Sequence, residues 1–234
     1  ATLLQYAINF EQLLNLHHYK LNDVDVIYSP FLDPITKLKS RPQLITCPDL
    51  IPFIYKGSKR SYYRTKIFYP YYFSLATRLI TYSQHVADQL LENKVAFEKI
   101  AVIPCGIDVC RNRVKSPMSQ DVIVIARHDK HKNLDFLLHA LRTFKCQHPF
   151  WKGKINIVGK SGRITKNLKK LANTFPNPYE IVFLEHIESP SLIKLLRNSF
   201  VLISASGEEG FDYPILEAKA EGIPTLISDI RVHK

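Results

Sequence analysis

Residues 122–145 read VIVIARHDKHKNLDFLLHALRTFK: an apolar run, then a basic turn, then an amphipathic segment. The apolar run Val122–Ala126 has the length of a buried strand and is too short for a helix. The spacing of apolar residues over 133–145 predicts a helix, and Asn133 is expected to cap its first turn. A strand followed directly by a helix is the repeating unit of an α/β fold.

The same alternation extends through most of the chain. The predicted strands are Val24–Tyr28, Gln43–Thr46, Leu79–Tyr82, Ile100–Ile103, Val122–Ala126, Ile155–Val158, Ile181–Leu184, Val201–Ser204 and Thr225–Ile227. Helical patterns lie near 2–19, 60–76, 84–92, 133–145, 163–173, 189–197 and 214–221. We therefore predict an α/β protein in which crossover helices connect parallel strands.

The segment Cys110 to Gln120 separates two such series, because it carries charges and a Ser-Pro pair without periodicity. This organisation predicts two Rossmann-like domains in tandem, over residues 1–113 and 114–234. The first series offers only about four strands, fewer than a doubly wound domain usually has. The chain also stops soon after Thr225–Ile227. We therefore expect an incomplete N-terminal domain and a truncated C-terminal end.

A second stretch, EGFDYPILE from Glu209 to Glu217, predicts an anion site. Pro214 suits the first helical position, where its missing N–H costs nothing, and Gly222 suits the end of the same helix. The amides near Phe211 would then face out of a helix N-terminus, which attracts anions. A phosphate held by amides, beside acids that accept sugar hydroxyls, is the chemistry of a nucleotide-sugar site.

Cations also follow two predicted strands. Arg127 and Lys132 come after the strand Val122–Ala126, at the edge where open α/β sheets bind ligands. They are interpreted either as a charged surface loop or as a pair that neutralises a diphosphate leaving group. Lys160 lies in a glycine turn after Ile155–Val158 and is predicted to be near the same ligand. The glycines around it lack the spacing of an NTPase phosphate loop.

The formal net charge of +11 suits a polyanionic partner or a membrane surface. The sharpest local excess spans 55–73, where basic residues alternate with tyrosines and phenylalanines and no acid occurs. This segment is interpreted either as a solvated helix face with core aromatics or as a surface for anionic lipid or an anionic acceptor. Nucleic acid is not an expected partner, because no recognised binding motif is present.

The four cysteines show neither a C-x-x-C pair nor a zinc spacing, and they are interpreted as reduced thiols. His128 and His131 have no evident further ligands, so no metal site is predicted. No apolar run reaches the length that spans a bilayer, and no signal peptide is visible at Ala1. The predicted location is the cytoplasm, with peripheral binding to the inner face of the membrane through 55–73.

Together these segments resemble the retaining glycosyltransferases of family 4, which have the GT-B fold. The resemblance is collinear from about Val24 to His233. The segment Glu209 to Glu217 is similar to the E-x7-E signature of the family, and Arg127 with Lys132-Asn133 is similar to its Arg and Lys-Asn pair. Pro104–Asp108 is similar to a turn near the end of the first domain of the family. Gly222–Pro224 with Ser228-Asp229 is similar to the element that follows the E-x7-E helix. Each match is short, and their order and spacing make the resemblance specific.

The resemblance implies transfer of a sugar, with retention of configuration, from a nucleotide-sugar donor to a glycan or lipid-linked acceptor, as in polysaccharide biosynthesis. It implies that Arg127 and Lys132 hold the donor diphosphate and that Glu209 contacts the sugar, so these three are the expected catalytic residues. The expected donor-binding residues are Glu217 at the ribose, Gly210, Phe211 and Asp212 around the sugar pocket, Lys160, and His186 through its backbone at the base. Neither a metal nor another cofactor is expected.

Several positions depart from the family pattern. Pro48-Asp49 stands where many members have a histidine before the aspartate, and Ala126 stands where a glycine usually precedes the arginine. Asp212 replaces the glycine that usually follows Phe211, and we expect its charge to lie close to the donor phosphate. The glycine-rich loop of the first domain has no counterpart. These departures leave open a non-catalytic adaptor that binds a partner or a membrane surface and, as a further alternative, a GT-B-like sugar-nucleotide epimerase.

Overall fold

The computed structural model describes residues 25–32, 41–55, 59–107, 119–177 and 180–234. The chain forms two compact units, one ending at Pro104 and the other beginning at Cys105. The predicted helix near 2–19, the predicted boundary after residue 113 and most of the expected linker lie outside the described residues. The position of the domain boundary therefore stays a prediction.

The N-terminal unit contains a four-stranded parallel sheet in the order β1-β2-β3-β4. Its strands are β1 Ile27–Ser29, β2 Gln43–Thr46, β3 Arg78–Thr81 and β4 Ile100–Val102. Its helices are α1 Ile51–Ile54, α2 Lys59–Leu75 and α3 Gln84–Glu92, with a 3-10 turn at Phe97–Lys99. In the described residues of this unit, each strand lies beside the one that follows it in the chain.

Helix α2 carries the basic and aromatic segment and has two unlike faces. Tyr72 and Phe73 are buried, and Phe73 packs into the core of this unit. Tyr63, Ile67 and Tyr71 recur every four residues and are exposed, so they lie along one side of the helix. The segment is therefore partly a core helix and partly an apolar surface.

The C-terminal unit contains a five-stranded parallel sheet in the order β7-β6-β5-β8-β9. Its strands are β5 Val122–Ile125, β6 Ile155–Val158, β7 Ile181–Leu184, β8 Val201–Ser204 and β9 Thr225–Ile227. Its helices are α4 Leu134–Gln147, α5 Thr165–Ala172, α6 Ser189–Arg197 and α7 Tyr213–Ala220, with 3-10 turns at Lys130–Lys132 and Arg231–His233. Each strand predicted from the sequence overlaps an observed one; the largest difference is at the first, predicted over Val24–Tyr28 and observed over Ile27–Ser29.

Alternate residues of β5 enter two separate cores. Val122 and Val124 pack with α4 and α5, whereas Ile123 packs with residues of α6 and α7. Each buried aliphatic side chain of this kind stabilises the fold by about 1.5–3 kcal/mol relative to leaving it exposed. The sheet therefore has a helix layer on each face, which explains why its strands are continuous apolar runs.

The strand order of this sheet reverses at β5. The chain proceeds from β5 outward through β6 and β7, then returns to place β8 on the other side of β5. At such a reversal the connections leave the carboxyl ends of two neighbouring strands toward opposite faces, and a crevice opens between them. Residues 126–133 and 205–212, which follow β5 and β8, flank this crevice.

Candidate active site

The crevice brings together a lysine and a glutamate that are far apart in sequence. Lys132 ends the 3-10 turn after β5, and Glu209 lies in the loop between β8 and α7. Nζ of Lys132 donates to Oε1 of Glu209. Only 16% of the lysine side chain and 8% of the glutamate side chain are exposed. Two residues predicted to share one ligand thus form a nearly buried ion pair at the switch point of the sheet.

The electrostatics of Glu209 reflect its burial. Burial raises the pKa of Glu209, the charge of Lys132 opposes that rise, and the charge of Asp212 adds to it. Desolvation is the largest of these effects and favours the neutral carboxyl group, whereas the cationic partner favours the carboxylate. A ligand that drew Lys132 away would remove the charge that lowers the pKa of Glu209.

The turn before α4 differs from its expected geometry in one respect. Asn133 adopts the left-handed conformation, with φ 48° and ψ 34°, and its side chain makes no capping hydrogen bond. Its carbonyl oxygen instead accepts the N–H of Leu137 at 3.0 Å. The predicted side-chain cap is therefore wrong. Asparagine suits the position because it tolerates left-handed backbone better than most residues.

The two loops beside the crevice are joined through their backbones. The N–H of Gly207, after β8, donates to the carbonyl of His131, after β5, at 2.8 Å. Burial and the charge of Lys132 lower the pKa of the His131 imidazole.

Arg127, unlike Lys132, is largely exposed at the end of β5, and its Nε lies 3.3 Å from Oδ2 of Asp129. The structure thus fixes Lys132 in the crevice and leaves Arg127 at its rim.

Asp212 is turned into the protein. Its backbone is left-handed, with φ 59° and ψ 62°, at the N-cap of α7. Its Oδ2 accepts the Ser204 hydroxyl at 2.7 Å and lies 2.9 Å from Nε2 of His233. The Asp212 and His233 side chains are each only 3% exposed. The carboxyl group that the sequence predicts to lie close to the donor phosphate is therefore hydrogen-bonded in a buried contact, and the side chain does not cap the helix.

The other end of the His233 ring is also held. Nδ1 of His233 lies 2.8 Å from the carbonyl oxygen of Ser228, whose own hydroxyl donates to the carbonyl of Ser206 at 2.6 Å. Sequence reasoning missed Ser204 and His233 as partners of Asp212. No local pattern links Asp212 with His233, because the two residues are 21 positions apart in the chain and follow different strands, β8 and β9, which pair in the sheet.

Helix α7 begins at Tyr213, one residue earlier than expected, so Pro214 occupies its second position. Glu217 lies in the second turn, half-buried, and burial raises its pKa. The hydroxyl of Tyr213 donates to the carbonyl of Gly106 at 2.8 Å. This contact ties the start of α7 to one of the turns that carried the family resemblance.

Lys160 and His186 follow β6 and β7, and both side chains are exposed. The carbonyl of Lys160 accepts the N–H of His128 at 3.1 Å, so the loops after β5 and β6 lie side by side. Gly159 is required here, because its φ is +155° and a Cβ would lie 2.0 Å from the carbonyl oxygen of Ala126. These contacts place Lys160 at the carboxyl edge of the sheet after β6, two strands from β8, whose following loop carries Glu209.

Across the described parts of the chain, no group of three or more His, Cys, Asp or Glu side chains could hold a metal ion. Cys47, Cys105 and Cys146 are free thiols, and burial raises the pKa of Cys47 to about 12. Such a thiol is chemically inert at neutral pH. No helix in the described ranges is long and apolar enough to cross a membrane.

Two family models match the chain almost end to end. The family described as Glycosyl transferases group 1 matches residues 111–234, and the one described as Glycosyltransferase Family 4 matches residues 3–111. The first match includes the crevice, the Lys132–Glu209 pair and α7. The chain therefore belongs to the glycosyl transferases group 1, with an N-terminal part of the Glycosyltransferase Family 4 type.

Curated relatives include bacterial mannosyltransferases. The chain is 24% identical over 199 residues to the O-antigen chain mannosyltransferase RfbU of Salmonella typhimurium, covering 82% of this chain and 53% of the relative. It is 37% identical over 79 residues to the serotype-specific mannosyltransferase WbdA of Escherichia coli, covering 33% of this chain and 10% of that protein. The chain thus spans about half the length of the first relative.

Solved structures confirm the predicted fold class, an α/β protein of the GT-B type. Sucrose-phosphate synthase from Thermosynechococcus elongatus superimposes with a TM-score of 0.75 at 16% identity, over 98% of this chain and 62% of that one. Anabaena HepE, solved with UDP and glucose, gives a TM-score of 0.75 at 18% identity, over 100% of this chain and 66% of that one. At such low identity these likenesses establish the fold and no more.

Proposed function

We propose that this chain belongs to a glycosyltransferase that moves a hexosyl group from a nucleotide-sugar donor to a glycan or lipid-linked acceptor. The observation that carries the proposal is the nearly buried Lys132–Glu209 pair in the crevice beside α7, in a chain that belongs to this family. The proposal concerns the whole protein, because the chain spans only 53% of its mannosyltransferase relative.

In the proposed complex the C-terminal domain, over 114–234, binds the donor. Lys132 and Arg127 neutralise the diphosphate, and the backbone at Gly210, Phe211 and Asp212 lines the sugar pocket at the start of α7. Glu217, one turn further along the helix, accepts hydrogen bonds from the ribose hydroxyls. Lys160 and the backbone at His186 lie on the side of the base, while the N-terminal domain, over 1–113, faces the acceptor.

The chemistry requires charge stabilisation rather than a cofactor. As the glycosidic bond breaks, negative charge grows on the departing diphosphate and positive charge on the sugar. A cation fixed in a low-dielectric crevice can contribute a few kcal/mol to such a transition state, and Glu209 is placed to stabilise the sugar. Retention of configuration is supported by the family resemblance, and the anomeric proton signals of the first-formed product would test it.

Among the possible donors, we favour a nucleotide sugar that carries a mannosyl group. Both bacterial relatives are named mannosyltransferases, whereas the Anabaena structure holds UDP and glucose. Thermal shift of the full-length protein against UDP, GDP and ADP, each with its sugar conjugates, would identify the base and then the sugar. Release of sugar from a stabilising donor would support the enzyme. A protein that no nucleotide stabilises and that releases no sugar would instead be a non-catalytic adaptor.

The proposed acceptor side includes an anionic membrane at the inner face, which would make this a peripheral protein of the cytoplasm. The support is the exposed face of α2, where Tyr63, Ile67 and Tyr71 lie together and Lys66 is also exposed. Aromatic side chains at the interface and basic residues near anionic headgroups both favour such binding. Co-sedimentation with vesicles of stated anionic-lipid content would test it, and equal binding to neutral vesicles would remove the electrostatic part.

A further inference from the structure

We infer that the Glu185 carboxylate reads the base of the proposed donor and that this base is guanine. The inference rests on the proposed nucleotide-sugar site and names the class of its nucleotide, a nucleoside diphosphate whose base is guanine. It assigns a specificity role to a side chain that directly follows β7 and lies outside every motif described from the sequence.

Glu185 lies at the carboxyl edge of the C-terminal sheet, the edge at which the donor is proposed to bind. The diphosphate is proposed to lie between the ends of β5 and β8, and the sheet continues from β5 through β6 to β7. Neighbouring strands lie about 4.8 Å apart, so the end of β7 is roughly 10 Å from the end of β5. A nucleoside that extends from the diphosphate along this edge would therefore place its base beside Glu185.

The Glu185 carboxylate is held on one side and open on the other. The Ser161 hydroxyl donates to its Oε1 at 2.6 Å, and Nζ of Lys169 lies 3.7 Å from the same oxygen. Within the described residues no hydrogen bond reaches Oε2, and 41% of the side chain is exposed. The hydrogen bond from Ser161 lowers the pKa of Glu185, and the charge of Lys169 lowers it further. The group is therefore an ionised acceptor at neutral pH, within reach of a ligand.

The loop that carries Ser161 is tied to the loop after β5. The carbonyl of Lys160 accepts the N–H of His128 at 3.1 Å, and the N–H of Gly162 donates to the Thr165 hydroxyl at 2.8 Å. Nδ1 of the buried His128 ring lies 2.9 Å from the same hydroxyl. A Cβ on Gly162 would lie 2.4 Å from the carbonyl oxygen of His128, so glycine permits this close packing. Ser161 is thus flanked by two anchored residues, and a preorganised partner lowers the entropy cost of binding a base.

A carboxylate held in this way favours guanine over uracil and adenine. Guanine presents two adjacent donors, the ring N1–H and the exocyclic amino group, which match the two oxygens of a carboxylate. Each oxygen has more than one lone pair, so Oε1 can accept from Ser161 and from the base together. Uracil presents one N3–H between two carbonyl oxygens, and adenine presents an amino group beside a ring nitrogen that only accepts. Specificity then comes from repulsion of the wrong base as well as attraction of the right one.

The first test measures the affinity of the full-length protein for GDP, UDP and ADP by calorimetry at neutral pH. These ligands share the ribose and the diphosphate and differ only in the base. Wild type should bind GDP about tenfold more tightly than UDP or ADP, because only guanine pairs both of its donors with the carboxylate. Equal affinities, or a preference for UDP or ADP, would overturn the inference.

Glu185→Gln should shift the preference from guanine toward uracil. Its amide offers one acceptor and one donor, which match the N3–H and a carbonyl of uracil but not the two donors of guanine. GDP affinity should fall about tenfold and UDP affinity should rise, whereas Glu185→Ala should lose GDP affinity without gaining UDP affinity. Glu188→Gln makes the same chemical change at an exposed position before α6 and should bind each nucleotide as wild type does. An equal loss for all three nucleotides in Glu185→Gln would assign the carboxylate to the shared ribose and overturn the base role.

Ser161→Ala tests how the carboxylate is held. Loss of the hydroxyl should weaken GDP binding several-fold and leave UDP binding unchanged, because only guanine depends on the orientation of the carboxylate. Ser161→Thr retains a hydroxyl and should bind GDP more nearly as wild type does. A merely structural role for Ser161 would instead weaken the binding of both nucleotides alike.

The same measurements separate the base assignment from the proposed function. If GDP, UDP and ADP all fail to bind wild-type protein, the proposed function fails and the base assignment fails with it. If UDP or ADP binds best and the Glu185 variants keep that preference, the donor site stands and only the assignment of guanine to Glu185 is overturned.

Discussion

The two sheets of this protein are built from the same strand–helix unit, yet only one of them reverses its strand order in the described residues. The N-terminal sheet runs β1-β2-β3-β4, whereas the C-terminal sheet runs β7-β6-β5-β8-β9. In the second, the loops after β5 and β8 leave neighbouring strand ends and meet across a crevice. Lys132 comes from one loop and Glu209 from the other.

This difference shows that topology, rather than composition, localises the chemistry. The N-terminal unit has its own basic segment, but there the charges lie along a helix whose exposed side is also apolar. The C-terminal unit places a cation and an acid in a largely buried pair, where electrostatic interactions are stronger than at a surface. Substitutions in the two regions should therefore affect different measurements.

The largest effect should come from the crevice. Lys132→Ala removes a fixed cation from the proposed leaving-group site and leaves Glu209 buried without its partner, so turnover should fall by about a hundredfold or more. Steady-state kinetics of the full-length protein with its identified donor would measure this. Lys130→Ala, at an exposed position of the same 3-10 turn, should change turnover little. Near-normal turnover in Lys132→Ala would sink the assignment of this site.

Much of this site could be predicted from sequence because its signals are local. Continuous apolar runs fixed the strands of the C-terminal sheet, and the carboxyl ends of parallel strands share one edge, so Lys132 and Glu209 were expected at one ligand. The conformation of Asn133 could not be predicted, since capping and left-handed backbone suit the same residue type. The Asp212–His233 contact depends on the register of β8 with β9 and has no local signature.

A smaller effect should follow from removing the proposed ribose contact. A hydrogen bond to the ribose is similar in the bound donor and in the transition state, so Glu217→Ala should weaken donor binding by about tenfold and change turnover less. Calorimetry with the donor nucleotide, together with kcat and KM, would separate the two. Unchanged affinity would count against the ribose role while leaving the Lys132–Glu209 pair in place.

In the N-terminal unit, substitutions are expected to change membrane binding and to leave nucleotide binding unchanged. Replacing Tyr63, Ile67 and Tyr71 together by serine removes the exposed apolar stripe of α2 and should reduce binding to anionic vesicles several-fold, since each lost aromatic or aliphatic contact weakens interfacial binding. Affinity for nucleotide should not change. A matched variant with Val26 and Tyr28 replaced by serine removes other exposed apolar groups of the same unit and should bind vesicles as wild type does. Equal binding by both variants would contradict a membrane role for α2.

The smallest expected effect is on thermal stability, and it concerns Glu217, which should contribute to donor binding and not to the stability of the fold. Burial raises the pKa of Glu217 in the folded protein above its value in the unfolded chain. The folded state then holds a proton more tightly than the unfolded state, so stability from this group is greatest below the unfolded pKa and falls as pH rises through the folded one. Glu217→Gln should therefore raise the melting temperature at neutral pH by roughly one to three degrees and have less effect at pH 4. Calorimetric melting at the two pH values would measure the difference.

Because the same change removes a charged acceptor for the ribose, a more stable variant with weaker donor binding is the expected result. If Glu217→Gln instead lowered the melting temperature relative to wild type at neutral pH, and lowered it less at pH 4, the carboxylate would stabilise the folded protein.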